Sequence, residues 1–389
     1  MGRVRVRARA RDRRGDAADQ CRPRGPQQRV RHPLERRHGR VGCRRAAGGP
    51  RVRLPPALHR RGSHRGSDQE LTGIPTPQRR AGAVHHEAEF WAATFTPFTE
   101  AGRLDLGTVP AYAKHLAARG VHGAFVAGTT GEFPAMSTRE REDLLAAWAA
   151  HRPPGFGLAV QVGHTDLREA QRLAAHAAGH GVDLIASVAP YYGQADLDRT
   201  VAWLGEVSAA APRTPFCLYH IPSRTGSTLN PAELVRAAAE RIPTLAAVKF
   251  TDPDLFGFTT TREVSERVRV YYGCDELLPA ALGFGADGFI GSLYNFLAPI
   301  AHAVVAATAA GDPAGADRLH RPFREVVVTA RAHGGLAVIK ELANALGPDT
   351  GPCRPPAGAL GPSGRDAVDM LASRLREALD GIASGTDER

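Results

Sequence analysis

From residue 88 onward, short apolar runs alternate with longer segments whose apolar positions recur at i, i+3 and i+4. The runs occupy 90–98, 123–128, 157–163, 184–190, 215–221, 245–250, 267–274 and 288–295. Their length and their share of Val, Ile, Phe and Tyr predict eight strands. The segments 141–148, 170–178, 201–209 and 232–239 carry the helical period between them. Ser137-x-x-Glu140 predicts a capping box at the head of one helix. Asn230-Pro231 predicts an N-cap followed by proline at the first position of another.

Eight strand–helix units whose strands are apolar on both faces predict a closed parallel (β/α)8 barrel, because only a sheet covered on both sides tolerates such strands. A doubly wound open sheet would call for a GxGxxG turn after the first strand, and Thr96-Pro97-Phe98-Thr99 stands there instead. Beyond residue 312, helical patterns at 313–333, 336–346 and 367–382 predict a small C-terminal helical layer. The chain therefore divides into 1–87, a barrel over 88–312, and a helical region over 313–389.

Charge separates the first of these from the rest. The net charge is +10, yet residues 1–80 alone hold 23 Arg, no Lys and 6 acidic residues, a net of +17, which leaves −7 for the remainder. The basicity belongs to the tail and says nothing of nucleic acid for the body. With no aromatic residue before Phe90 and no sustained apolar period, the tail cannot bury a core. It reads as a disordered extension or a misassigned translation start. An RNA-binding arm is the rival, since clustered arginines neutralise phosphates, but aromatic stacking partners and a basic helix are both missing.

The whole chain is 43% hydrophobic, enough for a sizeable core. No run approaches the ~20 apolar residues that span a bilayer, and no apolar leader marks the N-terminus. Cys21, Cys43, Cys217, Cys274 and Cys353 are odd in number and scattered, without CxxC spacing, so neither a disulfide framework nor a zinc site is expected. A reducing cytoplasm fits best.

In a parallel barrel the chemistry sits where strands end. Those ends carry Gly128-Thr129-Thr130-Gly131-Glu132, Pro190-Tyr191-Tyr192-Gly193, Tyr219-His220-Ile221-Pro222-Ser223-Arg224, Lys249-Phe250-Thr251, Gly273-Cys274-Asp275-Glu276 and Gly291-Ser292-Leu293-Tyr294-Asn295. Lysine is scarce: Lys114, Lys249 and Lys340 stand against 47 arginines. Lys249 closes an apolar run, which places its amine in the barrel mouth. Desolvation there favours a neutral, nucleophilic amine; the alternative is a buried lysine paired with a carboxylate. Tyr219 on the neighbouring strand is either a proton shuttle or a packed core tyrosine. The Thr129-Thr130 turn precedes a helix, so hydroxyls and free amides can hold a carboxylate there; turn geometry alone also explains its glycines.

At these residues the body resembles the dihydrodipicolinate synthase / N-acetylneuraminate lyase family. GTTGE at 128–132, YHIPSRTG at 219–226 and VKFTD at 248–252 fall in the family's order and spacing. The resemblance implies that Lys249 forms a Schiff base with a 2-oxo acid and Tyr219 shuttles the proton. It makes Thr129 and Thr130 the carboxylate pair, and Tyr192 a tyrosine near or across a subunit contact. It further implies a homotetramer and no metal or organic cofactor, pyruvate being one partner.

Thr251, Asp275, Glu276, Gly291 and Ser292 are similar to the sialic acid lyase pattern, in which they serve the polyhydroxylated tail; Asp275 and Glu276 also suit a helix start. Arg224 departs from that pattern and resembles the synthases, where an arginine holds the second substrate's carboxylate. The expectation is cleavage of a 2-oxo sugar acid to pyruvate and an aldose. The rivals are condensation of pyruvate with aspartate semialdehyde, a related dehydratase, and a catalytically silent barrel with a nucleic-acid-binding tail.

Overall fold

The structure, a computed structural model, describes residues 88–385. The expectations for residues 1–87, including the reading of the arginine-rich tail, lie outside the described residues. Eight parallel strands close into a barrel in sequence order: β1 Glu89–Ala93, β2 Gly123–Val126, β3 Gly157–Gln161, β4 Leu184–Val188, β5 Phe216–His220, β6 Leu245–Phe250, β7 Arg269–Tyr272 and β8 Gly288–Gly291. All but β6, which coincides with its run, are shorter than their apolar runs, because the last residues of several runs leave the ladder to form the loops of the barrel mouth.

The intervening helices are α1 Val109–Ala118, α2 Thr138–His151, α3 Leu167–Gly179, α4 Leu197–Ala209, α5 Pro222–Thr225, α6 Pro231–Arg241, α7 Leu255–Arg262, α8 Leu278–Gly283 and α9 Tyr294–Ala309. Ser137 caps α2 with both halves of the capping box formed, and Asn230 caps α6 with Pro231 in its first turn. α10 Pro313–His333 packs on α9, and α11 Leu336–Leu346 and α12 Pro362–Ser384 complete the C-terminal layer. The last helix begins five residues before its apolar period, at Pro362, where proline suits a first turn whose N–H groups need no partner. Among the described residues no helix is long and apolar enough to cross a membrane.

Strand alternation sorts the core into two parts. On β5, Cys217 and Tyr219 point into the barrel with Phe125, Ala186, Ala247, Tyr271 and Ile290, whereas Phe216 and Leu218 face the helices. Small residues on four strands, Ala93, Ala159, Ala186 and Ala247, keep the interior narrow without filling it to the rim. The floor is closed by polar contacts: Glu89 accepts from the Tyr271 hydroxyl at 3.1 Å and pairs with Arg269 at 3.0 Å. The rim is thus the end at which side chains remain free for chemistry.

Candidate active site

β5 and β6 pair in register with Tyr219 beside Lys249. The two side chains therefore leave the sheet at one level and on one face. The Lys249 amine lies 4.2 Å from the Phe125 ring centroid and 4.2 Å from that of Tyr219, and the residue is 3% exposed. Among the described residues it enters no ion pair with a carboxylate. The Asp275 carboxyl is near enough for the lysine to act on it electrostatically, but the two form no ion pair. Below the amine, burial pushes the Cys217 thiol up to about 12 even with Lys249 nearby, so it stays protonated and inert.

The Tyr219 hydroxyl shares a hydrogen bond of 3.2 Å with Thr129 Oγ1, and its ring meets Phe125 edge-on. Thr130 Oγ1 lies 2.6 Å from Ser292 Oγ, which ties the turn after β2 to the turn after β8. The turn does precede a helix, which starts after Ser137 as its capping box predicts. A single 3-10 turn, Phe133–Ala135, intervenes, and α2 starts only at Thr138. Glu132 sits in the left-handed region at φ 56° and redirects the chain before a helix can begin. A helix dipole is therefore not what the turn offers an anion; its hydroxyls and local amides are.

On the opposite rim Asp275 is buried. Its Oδ2 accepts the Leu293 N–H at 2.8 Å, and its Oδ1 has no partner. Burial, the leading cause, raises this carboxyl to about 7. Asp275 does open the 3-10 turn Asp275–Leu277, but its side chain reaches across to β8 instead of capping its own turn. Gly291 is required beside it: a Cβ there would fall 1.5 Å from Asp275 Oδ1. Thr251 Oγ1 is likewise buried without a partner, and a Cβ at Gly273 would fall 2.2 Å from it. Two buried polar atoms in the barrel mouth thus lack a partner within hydrogen-bond distance. Glu276 turns outward to Arg331 at 3.3 Å, a partner that sequence reasoning had not supplied.

Thr129 also lines a cavity of about 550 Å³ with Tyr191, Ile221, Arg224, Leu336 and Pro355. Arg224, on α5, is exposed and forms no ion pair among the described residues. Tyr192 is not brought to the site within this chain: it is fully exposed, with a left-handed φ of 70°. Its neighbour Tyr191 takes the inward place, edge-on to Phe133 at 5.8 Å. Fully buried Arg141 donates to the carbonyls of Gly163 and Gln161 and lies over the Phe133 ring; burial pulls its guanidinium down to about 10.

A parallel barrel with a buried lysine in its mouth, its amine set against the ring of a tyrosine whose hydroxyl meets a threonine, is the frame of a carbon–carbon lyase. Residues 87–375 match the Dihydrodipicolinate synthetase family, and the chain belongs to it. Over 270 residues it is 37% identical to N-acetylneuraminate lyase of Xenopus tropicalis, spanning 68% of this chain and 88% of that protein. With N-acetylneuraminate lyase of Danio rerio the identity is 36% over 301 residues, 75% of this chain and 96% of that one. The solved Proteus mirabilis N-acetylneuraminate lyase superposes with a TM-score of 0.72 at 27% identity, over 74% of this chain and 98% of its own.

Proposed function

We propose that the protein cleaves a 2-oxo sugar acid of the N-acetylneuraminate type to pyruvate and an aldose, through an iminium on Lys249. The observation that carries this is the Lys249 amine, buried at the barrel mouth between the Phe125 and Tyr219 rings and in no ion pair among the described residues. Lys249 Nζ adds to the C2 carbonyl, and loss of water gives the iminium. Tyr219, hydrogen-bonded to Thr129, takes the proton of the C4 hydroxyl as the C3–C4 bond breaks; C4 leaves as the aldehyde. The bonding pair flows into the iminium to give an enamine. Protonation at C3 and hydrolysis return pyruvate and the free lysine. The electron sink is the iminium, so the reaction asks for neither metal nor organic cofactor.

The Thr129-Thr130 turn holds the substrate carboxylate. The unpaired Thr251 Oγ1 and Asp275 Oδ1 meet the hydroxylated tail, together with Ser292 and the Gly291 backbone, while Glu276, turned to Arg331, stays at the edge of that site. The same reading takes 88–312 as the catalytic barrel and 313–389 as its helical layer, the enzyme as cytoplasmic, and the assembly as a homotetramer in which exposed Tyr192 meets a second copy. Release of pyruvate from a panel of 2-oxo sugar acids, run beside condensation of pyruvate with aspartate semialdehyde, tests it. Condensation without sugar-acid cleavage would overturn it.

Asp275 gives a prediction whose sign follows from its burial. Its ionised form is disfavoured until about pH 7, and only that form accepts two hydroxyl donors at Oδ1. KM for the sugar acid is therefore expected to fall as pH rises through about 7. Asp275→Asn, which still accepts from Leu293, should raise KM roughly tenfold and flatten that dependence while pyruvate still adds to Lys249. A pH profile of KM that is the same in both proteins would remove Asp275 from substrate binding.

Arg224 supports a second reading, the synthase, because its unpaired guanidinium lines the cavity beside Thr129. Aspartate semialdehyde carries a distal carboxylate that a guanidinium can grip through two hydrogen bonds; an aldose does not. Since Arg224 is exposed, solvent weakens that grip, and Arg224→Leu is expected to cost condensation about 1–2 kcal/mol in transition-state binding. Sugar-acid cleavage should change less. Selective loss of condensation, with no cleavage in the wild type, would favour the synthase.

A further inference from the structure

Lys340, on α11, is as buried as Lys249 but fully engaged. Its Nζ donates to the carbonyls of Thr96 at 2.8 Å and Pro352 at 2.9 Å, and to Glu132 Oε1 at 3.1 Å. Thr96 lies just past β1, Glu132 ends the Thr129-Thr130 turn, and Pro352 belongs to the segment joining α11 to α12. One ammonium thus binds three stretches of chain that meet beside the barrel mouth, and each of its three protons has an acceptor.

The other oxygen of Glu132 accepts the Arg354 N–H at 2.8 Å. The Arg354 guanidinium lies 4.1 Å from the Phe98 ring centroid and donates to the carbonyls of Gly102 and Ala135 and to both oxygens of Glu140. Pro355, Pro356 and Ala357 then line the cavity that Thr129 also lines. The turn is held from a second direction by Thr96, whose hydroxyl donates to the Gly131 carbonyl at 2.6 Å.

We propose that Lys340, Glu132 and Arg354 are positioning residues for the cleavage step: they lock the C-terminal segment onto the Thr129-Thr130 turn and so hold Thr129 against Tyr219. The inference rests on the reading of Tyr219 and Thr129 as the proton-transfer pair. Their contact, 3.2 Å, is at the long end for two hydroxyls, so a small drift of the turn breaks it. Misplacement by an ångström can cost a reaction on the order of a hundredfold. An ammonium and a carboxylate this deeply buried tolerate one arrangement only, because either group displaced from the other is left unpaired.

The test is turnover per functional site. Lys340→Met combined with Glu132→Gln exchanges the ion pair for a neutral pair, and Arg354→Gln separately removes the guanidinium contacts with Gly102, Ala135 and Glu140 while the backbone N–H stays on Glu132. Working sites are counted by the mass of the adduct that borohydride fixes from pyruvate on Lys249. Both variants are expected to titrate at Lys249 while kcat per titrated site falls roughly ten- to a hundredfold, with KM for the sugar acid moving by less than kcat. A role in stability alone would lower titratable sites and rate in proportion; that result, or an unchanged kcat per site, overturns the proposal. Should the double variant not fold, Arg354→Gln, which leaves the Lys340–Glu132 pair in place, decides between the same outcomes. Absence of any adduct in the wild type would defeat the functional reading, and this inference with it.

Discussion

Lys249→Ala is expected to lose sugar-acid cleavage by a factor on the order of 10⁴ or more, the scale on which removal of a covalent nucleophile is felt. The loss should be in kcat, because the substrate's tail and carboxylate contacts remain. In the wild type, borohydride with pyruvate should fix one adduct per chain. The assignment is unusually clean, since the chain has only three lysines. Lys114 is exposed, and all three protons of the Lys340 ammonium are taken by Thr96, Pro352 and Glu132, so neither amine stands free in the barrel mouth. An adduct on either of them, or full activity in Lys249→Ala, would end the Schiff-base mechanism.

Tyr219→Phe keeps the ring that packs against Phe125 and the Lys249 amine and removes only the hydroxyl bonded to Thr129. Cleavage should fall by roughly 10²–10³-fold, the usual contribution of a positioned acid–base group. Formation of the pyruvate adduct should slow yet still reach completion, because the nucleophile and its aromatic cage persist. Stability should change little, as the hydroxyl's one partner is another hydroxyl. Cleavage at the wild-type rate would return Tyr219 to the packed-core reading; complete loss of the adduct would show that it serves the lysine and not the carbon–carbon bond.

The barrel was legible because its strands are apolar on both faces, a pattern that few arrangements other than a covered parallel sheet can bury. Lys249 and Tyr219 were legible for a local reason: each closes an apolar strand, so its direction follows from the strand's own alternation. Lysine scarcity, by contrast, pointed at Lys340 as strongly as at Lys249. What separates them is the presence of a carboxylate partner 208 residues away in sequence, which no local pattern records. The same limit hid Arg331 from Glu276 and Arg354 from Glu140, partners brought together only when the C-terminal layer docks. Glu132 was quoted within its motif, but neither its left-handed backbone nor its contact with Arg354 is marked by residue type. Tyr191 and Tyr192 are identical in type and adjacent, and only the local bend decides which one faces inward.

The span between Glu132 and Arg354, 222 residues, also bears on how the chain is made. A ribosome would deliver all eight strands before the residues that clamp the mouth, and an emerging chain could assemble a barrel bearing Lys249 with its turn still unclamped. Pairing of β1 with β8, Glu89 with Gly288, closes a loop of comparable length, so the order of synthesis and not the length of the loop sets the clamp last. Catalytic competence in this fold would then arrive at the end of synthesis, after the barrel itself, and a nascent chain halted near residue 312 would hold the nucleophile without the geometry to use it.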